Sequence, residues 1–125
     1  MYTYNARVVT VHDGDTLTLD VDLGFFTHVV VPFRILGMNA RELSEPGGPE
    51  ARDHLIELLP VGTSVTITSV KPDKFGGRYD AVISWHNDGG GDVDVAGLLI
   101  VNQWAAAWNG LGVKPVPPWP RTLTP

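Results

Sequence analysis

The chain has 125 residues, is 43% hydrophobic and carries a formal net charge of −5, which fits one compact domain able to bury a core without covalent staples. Its lack of cysteine excludes a disulfide framework, thiolate zinc sites and a cysteine nucleophile. The acidic balance argues against tight, metal-free coating of nucleic acid, because sequence-independent affinity for phosphates comes from lysine and arginine, whereas clustered acids are what a divalent cation requires.

Met1 to Arg7 lacks the basic stretch and apolar run of a signal peptide, and no apolar run approaches the ~20 residues of a membrane helix. Residues 6 to 36 are rich in Val, Leu, Phe and Thr and read as three consecutive strands, roughly 6–11, 16–23 and 27–36. Alternation puts Leu17, Leu19, Val21 and Leu23 on one face of the second. Pro32 marks an edge or bulge in the third, since it has no N–H to give a ladder.

Ser44 to Pro49 is turn chemistry, and Pro49 suits the first helical position, where its missing N–H would be unpaired anyway. A helix is expected from about 49 to 59, with Ala51, Leu55, Leu58 and Leu59 as its buried stripe and Pro60 and Gly62 as its stop. Strands at 64–70 and 78–85 follow. Residues 87 to 92, with Gly89-Gly90-Gly91, read as a surface turn because three glycines cost too much conformational entropy inside an element. Asp94 is expected to cap a second helix running to about Ala107. Lys114 to Pro120 is polyproline-like, suited to lying along a surface or reaching a protein partner. The expectation is an α+β chain: residues 1–110 form a five-stranded OB-type β-barrel with an inserted helix and a second C-terminal helix, and 111–125 a proline-rich tail.

The chemistry concentrates in Asp13-Gly14-Asp15-Thr16 and in the run from Arg34 through Asn39, Ala40 and Arg41 to Glu42. Two carboxylates, an arginine, an amide and a glutamate on neighbouring strands and turns are a set able to hold a hard cation, clamp a phosphate and activate water. Taken alone, Asp-Gly-Asp is ordinary hairpin chemistry, and Arg34 and Arg78 would serve as strand arginines paired with Asp13 or Asp80. The four histidines show no paired ligand spacing, and the glycine run lacks the lysine of a phosphate loop.

In order and content, Asp13-Gly14-Asp15-Thr16, Arg34 to Glu42, and Asp73-Lys74-Phe75-Gly76-Gly77-Arg78 resemble the motifs of the staphylococcal nuclease (thermonuclease-like) family, over roughly residues 6–108. The resemblance implies a calcium-dependent nuclease acting on DNA or RNA, with magnesium or manganese as alternative ions. It implies that Asp15, Asn39 and the backbone carbonyl of Ala40 hold the metal, with Asp13 in support. Glu42 would be the general base, and Arg34 and Arg78 the phosphate clamps. Arg41 and Trp108 are further candidates for substrate contact.

The chain departs from the family pattern in having Asn39 where aspartate is usual, Arg41 in place of a proline, an extra glycine before Arg78, and a proline-rich tail where relatives continue into a third helix. The other reading is a non-catalytic barrel module that binds nucleic acid or a protein partner. A monomer in the cytoplasm of a bacterial or phage-infected cell is the default expectation.

Overall fold

The computed structural model describes residues 2–74, 76–87 and 91–119. β1 (Thr3–Asp13), β2 (Thr16–Asp22) and β3 (His28–Ile35) form an antiparallel meander. The β2–β3 register runs unbroken from Thr16 opposite Arg34 to Asp22 opposite His28. β1 is long and bent: its register against β2 shifts between Val8 and Thr10 and again between Val11 and Asp13. Such irregularities increase local bend and twist, so one strand serves two neighbours. The N-terminal half of β1 pairs with β5 (Ser64–Pro72), which pairs with β6 (Tyr79–Asn87). A parallel pairing of β3 with β6, Phe33 to Ile35 against Tyr79 to Ala81, closes the barrel. Pro32 lies immediately before this closure, where β3 still has an open edge and a missing N–H is tolerated.

The closed five-stranded barrel with two helices is the OB-type architecture expected from the sequence. Alternation fills it: Leu17, Leu19 and Val21 from β2, Phe33 and Ile35 from β3, Val65 and Ile67 from β5, and Ala81 and Ile83 from β6 are all buried. α1 (Gly48–Leu58) adds Ala51 and Leu55, with Leu59 just after it, and α2 (Val95–Val101) adds Val95, Ala96 and Leu99. Leu23, expected on the same inward face, is 46% exposed because β2 ends at Asp22 and the chain turns away at Gly24.

The second helix is capped as expected, the Gly97 N–H donating to the Asp94 carboxylate at 3.3 Å. It stops at Val101, well short of Ala107. Gln103 adopts a left-handed φ of 68° and the Trp104 N–H folds back onto the Leu99 carbonyl. Ala105–Ala107 then forms β8, paired antiparallel with β4 (Met38–Ala40). Tertiary pairing here overrides alanine's preference for helix. The strands flanking the glycine run also extend further than expected. β6 reaches Asn87 and β7 (Gly91–Asp94) begins at Gly91, while residues 88–90 lie outside the described residues.

Candidate functional site

The β1–β2 turn, the end of β3 and the short β4 meet at one end of the barrel. In the turn the Asp15 N–H donates to Asp13 Oδ1 at 3.1 Å, a local side-chain bond that fixes the bend. Gly14 lets it approach its neighbours: a Cβ there would lie 2.8 Å from Ala40 Cβ and 3.0 Å from Ala51 Cβ. The Ile35 N–H donates to the Asp15 carbonyl at 2.9 Å, tying β3 to the same turn.

Four polar residues are buried here, Asp15, Thr16, Arg34 and Asn39 each being 8% exposed. Burial of such groups is tolerable only when they satisfy one another. Asp15 Oδ1 accepts from the Thr16 hydroxyl at 3.0 Å, and Oδ2 from the Ala40 N–H at 3.1 Å and Arg34 Nη2 at 3.5 Å. Arg34 Nη2 also donates to Asn39 Oδ1 at 3.2 Å. Asp15, Arg34, Asn39 and Ala40 thus form one cluster, with Asp13 on its margin. Burial, then the neighbouring Asp15 charge, pushes the Asp13 carboxyl up to about 7. Asp80, opposite Arg34 on β6, rises to about 6 through burial and through its neighbour Asp73.

The remaining sequence candidates stand around this cluster. Arg78 Nε is 3.2 Å from Asp73 Oδ2, and its side chain faces a hollow shared with His12, Thr16 and Lys114. The extra glycine is absorbed by two consecutive left-handed residues, Gly76 and Gly77, both at φ 75°. Glu42 is solvent-facing, with Oε1 3.8 Å from Lys114 Nζ. The segment carrying it is pinned at Gly48, the first residue of α1. Arg41 points its guanidinium at the tail, Nη2 donating to the Pro117 carbonyl at 3.1 Å and Nε to the Trp119 carbonyl at 3.2 Å. Trp108 lies on the rim just after β8, with the Arg34 guanidinium 4.8 Å from its ring centroid.

What sequence reasoning missed is where the cations gather. Arg34, Lys71 and Lys74 line a hollow of about 190 Å³ beside Trp108. Arg78 and Lys114 line the next hollow, and Arg41 and Lys114 a third. Six of the nine lysines and arginines therefore gather here, Arg34 within the buried cluster and five around it, although the chain as a whole is acidic. Net charge is a sum and carries no signal of this segregation. Among the described residues, no three His, Asp or Glu side chains gather in a way that would hold a metal ion. Any cation bound here depends on the Asp13–Asp15 pair and on neutral oxygens. A scan against protein-family models and a search of curated proteins found no match to this chain.

Proposed function

We propose that the chain is a metal-dependent phosphodiesterase that cuts DNA or RNA by water attack, with calcium as the expected ion and magnesium or manganese as alternatives. The observation that carries this reading is the buried Asp15–Arg34–Asn39 cluster opening onto a ring of cations. An acidic protein with its cations collected around one cleft steers a polyanion to that cleft and repels it elsewhere.

The donor chemistry fits a hard cation: Asp15 and Asp13 offer carboxylate oxygens, Asn39 an amide oxygen and Ala40 a backbone carbonyl. Asp15 Oδ2 and Asn39 Oδ1 already converge on one cationic nitrogen, Arg34 Nη2. A divalent charge would also offset the burial and the Asp15 repulsion that together raise Asp13. With only two carboxylates, affinity is expected to be modest. When bound, such an ion polarises a phosphate oxygen and lowers the charge penalty of attack.

The chain's own side chains supply the rest. Arg34, oriented by Asp15 and backed by the Trp108 ring, presents its remaining donors to non-bridging phosphate oxygens, whose charge grows in the transition state. Glu42, exposed at the cleft margin, accepts the proton of the attacking water. Arg78, braced by Asp73, offers a second permanent cation for the leaving-group side. Lys74 and Lys114, each within 6 Å of the Trp108 ring centroid, hold the strand at the rim.

The test is cleavage of labelled single- and double-stranded DNA and of RNA, with calcium, magnesium, manganese or chelator, comparing the native chain with Asp15→Ala and Glu42→Gln. Metal-dependent cutting lost in both variants supports the reading. Binding without cutting under every condition assigns the chain to the non-catalytic modules instead.

A further inference from the structure

Residues 114–119 run back across the site without regular secondary structure, and their contacts are specific. Asn39 Nδ2 donates to the Pro115 carbonyl at 3.0 Å, and Arg41 donates to the carbonyls of Pro117 and Trp119. Pro117 is buried. The Trp119 N–H donates to the Gln103 carbonyl at 3.2 Å, and its ring meets Trp104 edge-on at 5.6 Å. Trp104 in turn stacks on His54 of α1 at 5.0 Å, so the end of the segment is anchored to the body of the domain.

We propose that this segment is a positioning strap that holds the Asn39 amide with its oxygen turned toward Asp15 and Arg34, and that Asn39 and Arg41 are matched to it. An amide has one donor end and one acceptor end. Arg34 can only donate and a carbonyl can only accept, so one orientation of Asn39 satisfies both neighbours: nitrogen to the strap, oxygen to the cluster. Aspartate at 39 would set a carboxylate oxygen against the Pro115 carbonyl with no proton between them. Arginine at 41 reaches two carbonyls two residues apart through its planar fork, which lysine cannot reproduce. The strap answers in kind. Pro115, Pro117 and Pro118 have no N–H, so this stretch offers its partners mostly acceptors, and β4 and the residues after it supply the donors. The two residues in and just after β4 that depart from the thermonuclease pattern, and the proline-rich tail that departs from it at the C-terminus, are therefore one coupled set.

The consequence for metal binding rests on the phosphodiesterase reading, because the strap acts on a ligand from outside, as partners behind metal ligands do. The test uses the full chain and the variants Trp119→Ala, Asn39→Asp and their combination. Side-chain amide and indole NMR signals report strap docking, calcium titration reports the ligand, and thermal melts report coupling. Trp119→Ala is expected to release the strap, shift the Asn39 amide signals toward free-amide values and weaken calcium binding about 10-fold. Asn39→Asp is expected to move the Trp119 indole signal to the position it takes once its edge-on contact with Trp104 is lost. The double variant should lose less in Tm than the two single losses combined. Release of the strap with unchanged calcium affinity overturns the positioning role. If the native chain binds no calcium, the metal reading fails by itself. The strap is then decided by the melts, where additive losses overturn its coupling to Asn39 and smaller-than-additive losses uphold it.

Discussion

Replacing Gly48 by alanine sets two effects of known size against each other. Gly48 is the first residue of α1 and its φ is not left-handed, so alanine gains helix propensity worth about 0.5–1 kcal/mol at most. Space decides otherwise. The new Cβ would overlap the Glu42 carbonyl oxygen and stand 2.6 Å from the Glu42 carbonyl carbon and 2.9 Å from Leu43 Cα. All three atoms are backbone, so no rotamer change relieves the overlap, and the chain at Glu42 and Leu43 has to shift as a unit. Overpacking of this kind costs roughly 1–3 kcal/mol. The net expectation is a loss of about 1–2 kcal/mol, or about 4–8 °C in Tm for a domain of this size. Thermal melts and urea titrations followed by circular dichroism measure it. Because the shift falls on Glu42, any metal-dependent cleavage should drop more steeply than the folded fraction does. A Gly48→Ala variant with equal or higher Tm would refute the close approach of the Glu42 segment to α1.

Asp13 gives a pH prediction. Its carboxyl rises from 3.8 to about 7 on folding, so its contribution is fully present below pH 4 and is lost as pH rises toward 7. Without added metal, Asp13→Asn should therefore gain in Tm relative to the native chain between pH 5 and pH 8; an equal difference at both pH values would contradict the raised Asp13 carboxyl. Asp80, raised to about 6, acts in the same direction over a narrower range. The ring of cations predicts that nucleic-acid affinity falls with salt. Replacing both Lys74 and Lys114 by glutamine should flatten the plot of log K against log salt by about 1–1.5 for a single strand, at roughly 0.7 per phosphate contact. An unchanged slope would place the strand elsewhere.

The barrel strands and the first helix were legible because alternation, turn glycines and prolines act locally. Asp13, Asp15, Arg34 and Asn39 were legible as a set because strand turns place them at one end of a barrel. Ala105 to Ala107 was not, since three alanines carry a helical preference and only pairing with Met38 to Ala40 reverses it. The bonds from Asn39 and Arg41 to the tail span more than seventy positions and leave no local trace. Arg78 aligned with a phosphate clamp in sequence, and in the structure it pairs with Asp73 across a turn that holds Gly77.

The most direct measurement is the cleavage of labelled DNA and RNA in calcium, with and without chelator, by the native chain, Asp15→Ala and Glu42→Gln. The account predicts products that form only with metal and fall at least 100-fold in both variants, each remaining folded. Products that persist in chelator, or that Asp15→Ala makes as fast as the native chain, would contradict it.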